Sequence, residues 1–354
     1  MTNSPYRAGV VGCGTIGQDH ARGYREHENV ELVAVADLDP AAAQAVADES
    51  DGVSTYKDHR EMLADASLDL YSVATDHDTH AMLTIDGAEA GVRGIVCEKP
   101  MAVDLGEAKA MRTAADRNDV HLTIGHQNRF APAHERGLEL IAEGAIGTPQ
   151  AITARAGGGL INNGTHFIDL GRFLVGDPDP TWCAAHVERS TDRYERGVPA
   201  EDSCVGRVSF DTDLRLTIET DTPSDLPTDG HLVVQGSDGV MTVDYGRSIR
   251  VAGPDGVNEY APDSDRRRRV KFIDELLSWI EGERDGHRCS GAESIVTLEI
   301  MMGLYESVRT DQVVEFPLET RANPLHVMIE EGELPPSNPG AYDIRHPYAS
   351  VRRD

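Results

Sequence analysis

"VVGCGTIGQDH", Val10 to His20, sets Gly12-x-Gly14-x-x-Gly17 between an apolar, β-branched run and a helix-compatible one. Gly12 permits a tight turn, Gly14 lets a pyrophosphate approach the backbone, and Gly17 lets the helix pack against its strand. Thr15 and Ile16 fill the turn's variable positions, where the helix N-terminus offers free N–H groups to an anion. Three glycines alone are a weak signal, but "VAVAD" ends in Asp37, twenty residues after Gly17. A carboxylate there accepts hydrogen bonds from the adenosine ribose. It also repels a 2′-phosphate, and Leu38 brings no cation, so NAD is expected in preference to NADP.

Outward from this turn, "YRAGVVG", "VELVAVAD", "LDLYSVAT", "GIVCEK" and "HLTIGH" read as apolar strands separated by helical segments. Such alternation predicts a doubly wound α/β domain, a Rossmann-type parallel sheet covered on both faces, over residues 1–127. After Arg129 the texture changes. "TWCAAHVERS", "SCVGRVSF", "LRLTIET", "HLVVQG" and "VMTVDYG" largely alternate with period two, which predicts an α+β domain with a large, mostly antiparallel open sheet over 128–317. Helices "RVKFIDELLSWIEGE" and "AESIVTLEIMMGLYESVRT" are expected to close it, with Ile300, Met301, Met302 and Leu304 in the core or an interface. The tail 318–354 lacks periodicity and reads as disordered or as an arm across a partner subunit.

At 354 residues the chain is long enough for two cores. Its 61 acidic and 33 basic residues give a net charge of −28, with the acids dispersed rather than blocked. A solvated acidic surface follows, which argues against nucleic acid and anionic membranes as partners. Arg outnumbers Lys 29 to 4, and the composition resembles that of proteins from salt-accumulating halophilic archaea. No apolar stretch approaches a membrane span and no signal-peptide layout opens the chain, so a cytoplasmic protein is expected. Five widely spaced Cys without a CxxC argue for reduced thiols over disulfides or zinc. "DHDTH" has no matching distant cluster, so no metal is expected; Arg266 to Arg269 read as a solvated helix start or an intersubunit patch.

"IVCEKPMAV" keeps one of the few lysines, Lys99, directly after an apolar run. Lys shifts its pKa and handles protons where Arg does not, so the residue points to chemistry rather than solvation. The glycine turn, "VATDHDTH", "CEKPMAV", "GHQNRFAP" and "GGGLINNGTHFIDLGRFLVG" together resemble the Gfo/Idh/MocA family, from about Tyr6 to Pro317. These are NAD(P)-dependent oxidoreductases of sugars, inositols and sugar nucleotides. The resemblance implies that Lys99 stands where nicotinamide meets substrate, with a cis peptide before Pro100. It places Thr75 and Glu98 on the nicotinamide ribose side and His80 and Gln127 near the cofactor. It gives Arg129 contact with substrate hydroxyls and makes His166 the catalytic histidine. Asn162 stands where the family often has Asp, and an amide can orient a hydroxyl but cannot take its proton.

Arg155, Asn162, Asn163 and Thr165 are further candidate contacts to a carbohydrate-like small molecule. Asp169, at helical spacing from His166, reads as an orienting group. The expected reaction is oxidation of a secondary hydroxyl, with Lys99 polarising it and His166 as general base. An NAD-dependent glycosidase with transient oxidation, and a non-catalytic NAD and sugar sensor, are the alternatives. Family habit implies a homodimer or homotetramer.

Overall fold

The computed structural model describes residues 4–222, 231–244, 248–261 and 268–344. The chain divides into two units, the first comprising Met1–Ala102, Glu107–Gln127 and Arg266–Ser294, the second Val103–Gly106, Asn128–Asp265 and Ile295–Asp354.

In the first unit the strands and helices alternate as β1 (Tyr6–Val11), α1 (Thr15–Glu26), β2 (Val30–Ala36), α2 (Pro40–Ala47), β3 (Ser54–Tyr56), α3 (His59–Asp65), β4 (Leu70–Val73), α4 (His80–Glu89), β5 (Gly94–Cys97), α5 (Leu105–Arg117) and β6 (His121–Ile124). The sheet order is β3-β2-β1-β4-β5-β6, with every pairing parallel. The order reverses between β1 and β4, and in open α/β sheets ligands bind at the carboxyl ends of the strands beside such a reversal. Burial on both faces explains the uninterrupted apolar runs: all four residues of β4 and of β5 are buried. Helix starts follow local chemistry, as where Asp39 caps α2 by accepting from the Ala41 N–H, with Pro40 in the first turn.

The second unit contains α6 (Pro132–Ala142), β7 (Pro149–Ala156), a π-helix at Gly159–Gly164, α7 (Thr165–Leu174), β8 (Pro180–Glu188), β9 (Asp192–Glu195), β10 (Val198–Pro199), β11 (Ser203–Phe210), β12 (Arg215–Thr220), β13 (His231–Gly236), β14 (Val240–Asp244), β15 (Ser248–Gly253) and β16 (Gly256–Tyr260). After α8 (Arg268–Ile280) come α9 (Gly291–Thr310), β17 (Val314–Glu315), α10 (Pro324–Glu330) and β18 (Ala341–Asp343). The nine-stranded sheet runs β16-β15-β14-β13-β7-β12-β11-β8-β17, antiparallel except for β7 beside β12. Helix α7 lies close on one sheet face, where a Cβ added at Gly171 would stand 3.3–3.5 Å from Ile152, Leu216 and Leu232. Ile300, Met301, Met302 and Leu304 of α9 are buried as expected.

Two expectations are corrected. Helix α8 belongs to the first unit rather than closing the second domain; it packs on α1, where a Cβ at Gly23 would fall 2.2 Å from Cγ of Arg269, and on Gly94 of β5 through Ile280 and Leu276. Residues 318–344 are folded onto the second unit itself: Asn323 caps α10, Leu325 and Met328 are buried, and β18 pairs with β9. Arg266, Arg267 and residues 345–354 lie outside the described residues. All five Cys are free and buried, and among the described residues no helix is long and apolar enough to cross a membrane.

One buried histidine links this fold to pH. His287, 3 % exposed, donates from Nε2 to the Phe272 carbonyl and accepts at Nδ1 from the Cys289 N–H, an arrangement that requires the neutral ring. Burial pushes its pKa down from 6.5 to about 4. The unfolded chain therefore binds the proton more tightly, and stability falls as pH drops from 6.5 towards 4. Full protonation is worth about 3 kcal/mol. Urea unfolding across that window should show the loss, and His287→Gln should flatten it; an equal slope in both chains would assign the acid sensitivity elsewhere.

Candidate active site

The glycine turn has the geometry a dinucleotide needs. Gly12 adopts φ +86°, and a Cβ there would lie 2.5 Å from the Ala74 carbonyl oxygen. Gly17 sits so close to its strand that a Cβ would meet the Gly12 oxygen at 1.7 Å. Gly14 is the opposite case: nothing lies within 4 Å of its would-be Cβ, and it forms the N-terminus of α1 without a side-chain cap. Thr15 and Ile16 are exposed beside it, so the first turn presents open backbone and unclaimed N–H groups. Asp37, at the end of β2, accepts from the Cys13 N–H at 2.7 Å and the Asp39 N–H at 2.8 Å, while Leu38 is 82 % exposed. The carboxylate thus braces the turn from the side where an adenosine ribose would lie.

Around β5 the EKP motif rests on a buried hydrogen-bonded chain. Tyr24 Oη lies 2.7 Å from Ser72 Oγ, which lies 2.9 Å from Nδ1 of His20, whose Nε2 stands 2.8 Å from the Glu98 carboxylate. Burial and the Arg269 charge keep the His20 pKa below its ordinary value, so the ring is neutral. It then accepts from Ser72 and donates to Glu98, and every member of the chain is satisfied. Burial opposes ionisation of Glu98, but the hydrogen bond from His20 and the charge of Arg269, 3.3 Å away, hold its carboxyl far below the usual range. A Cβ at Gly125 would collide with this carboxylate at 2.7 Å. Glu98 is therefore an internal anion, at the position that the resemblance sets on the nicotinamide ribose side.

Half-buried Lys99 follows directly, and the Lys99–Pro100 peptide is cis. His80 stands at the start of α4. Fully buried, it sets Nδ1 2.8 Å from the Pro100 carbonyl and Nε2 3.2 Å from the Thr75 carbonyl, so it ties together the segments after β4 and β5. Thr75 is partly exposed, its hydroxyl 2.7 Å from that of Thr79. Gln127 Oε1 is buried with no hydrogen-bond partner, the mark of a site awaiting a donor. Open Gly14, uncapped α1 and this orphaned oxygen fit a bound dinucleotide.

In the second unit the glycine run passes into the π-helix, which carries Asn162 and Asn163 and leads to Thr165 and His166 at the start of α7. His166 is 9 % exposed, and the Asn128 side-chain amide lies 3.4 Å from its Nδ1. Asn128, one residue before Arg129, is the ring's neighbour that reading by motif overlooks. Asn162 is partly exposed, whereas the Asn163 amide donates to the Gly157 carbonyl at 2.7 Å and secures the loop.

Three residues expected to contact substrate are held or enclosed by the protein itself. Arg129, 1 % exposed, is gripped by Asp169 and Asp177 at 2.8 Å. Asp169 orients it, as expected of that carboxylate. Thr165 is 1 % exposed and faces protein. Arg155 projects from the sheet face opposite the buried Ile152 and Ala154, on the side away from α7, and pairs with Glu219 at 3.0 Å.

Comparison with known proteins agrees with this construction. Residues 6–126 match the NAD-binding Rossmann fold of the Gfo/Idh/MocA oxidoreductases, and residues 139–316 match the family's C-terminal alpha/beta domain. The chain belongs to the Gfo/Idh/MocA family. As such it is an NAD-dependent oxidoreductase acting on CH–OH groups. This family member is 24 % identical to a D-apiose dehydrogenase of Paraburkholderia graminis, over 88 % of its own length and 89 % of the relative's. It is 29 % identical to an inositol 2-dehydrogenase of Rhizobium meliloti, over 71 % and 79 %. An NAD-binding oxidoreductase from Klebsiella pneumoniae shares its fold with a TM-score of 0.78 at 21 % identity, covering 89 % of this chain and all of that one.

Proposed function

We infer that the protein oxidises a secondary hydroxyl of a sugar, cyclitol or sugar derivative, with NAD preferred over NADP. The observation that carries this reading is Lys99: a scarce lysine, half-buried, in the EKP motif and next to a carboxylate kept ionised by a closed network. NAD, when bound, supplies the hydride acceptor. Gly12, Gly14 and the first turn of α1 would hold its pyrophosphate and Asp37 its ribose. Lys99 donates a hydrogen bond to the hydroxyl oxygen and stabilises negative charge developing there. His166 removes the hydroxyl proton, its ring restrained by Asn128. Asn162, partly exposed one turn earlier, orients the substrate through its amide. The dehydrogenases of apiose and inositol among its relatives support a polyhydroxylated substrate.

NADH absorbance on mixing protein and NAD with D-apiose, myo-inositol, other sugars and glycosides at high salt tests this. Net NADH with at least one polyol is expected. Glycoside cleavage without NADH accumulation would give the transient-oxidation glycosidase, and binding without turnover the sensor; either outcome overturns the dehydrogenase. High salt is used because a charge of −28 repels itself until it is screened. That charge, the buried free thiols and the family's pairing habit support a cytoplasmic homodimer or homotetramer suited to a saline interior.

The cofactor preference has its own test. Asp37→Asn keeps an acceptor for the Cys13 N–H but removes the charge, and the NADP to NAD ratio of kcat/KM should rise about tenfold or more, since facing like charges cost several kcal/mol. An unchanged ratio would mean that other groups choose the cofactor.

A further inference from the structure

The segment that delivers the histidine is held by two acids to which no role was assigned. Gly158 and Gly159, at φ +88° and +81°, point successive N–H groups at one carboxylate: Gly158 donates to Asp221 Oδ1 at 2.8 Å and Gly159 to Oδ2 at 2.6 Å. Successive backbone N–H groups aimed at one point make an anion-binding concavity, and here the protein's own side chain fills it. Asp221 itself has φ +53°, a conformation unfavourable for a residue with a Cβ, maintained where its oxygens reach both glycines. Arg193 steadies it at 3.2 Å.

The next N–H along, that of Leu160, is taken by Glu201 Oε1 at 2.6 Å. Glu201 is fully buried, and its other oxygen accepts from Tyr305 of α9 at 2.6 Å. A Cβ at Gly159 would meet Ile344 at 3.2 Å, so the residue after β18 closes the remaining side. Three consecutive N–H groups entering the π-helix are thus bound by carboxylates from distant parts of the second unit. Six residues beyond Leu160 stands His166.

We propose that Asp221 and Glu201 are positioning residues: by clamping the N–H groups of Gly158, Gly159 and Leu160 they fix the π-helix and so place Asn162 and His166 for proton removal. This rests on the reading of His166 as the base. Neither acid needs to touch substrate or titrate during turnover. Their chemistry is that of fixed acceptors, which explains why a neutral isostere should serve at one position and not fully at the other. At Glu201, Gln still accepts from Leu160 and can donate to Tyr305 Oη. At Asp221, Asn has one oxygen for two N–H groups.

Hydrogen–deuterium exchange and kinetics on the full-length chain test the proposal. In Asp221→Ala and Glu201→Leu, amides within 157–166 should exchange at least about tenfold faster while the central strands of both sheets keep wild-type rates. With the polyol giving most NADH in the panel above, kcat should fall about 100-fold in both variants, the scale of an ångström's misplacement, with NAD affinity unchanged. Glu201→Gln should stay within about threefold of wild type and Asp221→Asn fall between, since one of its two bonds survives. Should Glu201→Leu fail to fold, the partly exposed Asp221 carries the test alone. Wild-type exchange over 157–166 in Asp221→Ala overturns the clamp whether or not a substrate is known. His166→Ala with full turnover would instead refute the base, whereas a dead His166→Ala beside an Asp221→Ala of normal kcat refutes the positioning role only.

Discussion

Lys99→Arg will bind NAD much as the wild type does and lose turnover by about 100-fold or more, the scale of removing one donor to a developing oxyanion. Arg keeps the charge but not the chemistry: its guanidinium stays protonated, and its planar fork needs more room than an ammonium. Lys99 itself is half-buried, between Glu98, which is 6 % exposed, and the buried Pro100. The ionised Glu98 supplies negative potential beside the ammonium, and the His20 and Arg269 contacts prevent it from being neutralised by protonation. Steady-state NADH formation beside calorimetric NAD titration measures both parts. Turnover within a few-fold of wild type would show that positive charge alone suffices.

His166→Asn should lower kcat by about 1,000-fold, within the range that a positioned general base contributes. The amide can still occupy the ring's place next to Asn128 but cannot accept a proton, so binding of NAD and substrate should change little by comparison. The deficit should narrow at alkaline pH as hydroxide replaces the missing base, which kcat measured across a pH series would reveal. A uniform deficit at every pH would point to lost structure rather than to lost proton transfer.

The sheet around the glycine turn was legible because long apolar strands and caps are local signals. Gly12 and Gly17 stand where their spacing required, and β1, β2, β4, β5 and β6 fall on the quoted runs. By contrast β3 has three residues and α3 seven, too short for periodicity to register. Helix α8 reads correctly as a helix, but its unit depends on contacts between residues far apart in sequence, such as Gly23 with Arg269 and Gly94 with Ile280. The tail held a usable signal that its Pro-rich texture hid: Asn323 followed by Pro324 is an N-cap with proline in the first turn, as α10 confirms.

Residue types at the site were easier to read than their partners. Glu98, His80 and Arg129 occupy the motif's positions, yet burial turns all three inward, towards His20, the Pro100 carbonyl and Asp169. Nothing in the local sequence distinguishes a carboxylate that meets a ribose from one that meets a buried imidazole. The same holds for Glu201 and Asp221, isolated acids in a chain with 61 of them, which acquire meaning only when the fold brings them to three backbone N–H groups.

The most direct single measurement is kcat for NADH formation in Lys99→Met, His166→Asn and the double variant, compared as a cycle. If the ammonium and the imidazole serve one proton transfer from one hydroxyl, each single change abolishes most of the rate and the double variant is about as slow as the slower single one, because groups acting as a unit are not additive. Losses that multiply, or near-normal turnover in either single variant, would contradict the assignment of both residues to the same chemical step.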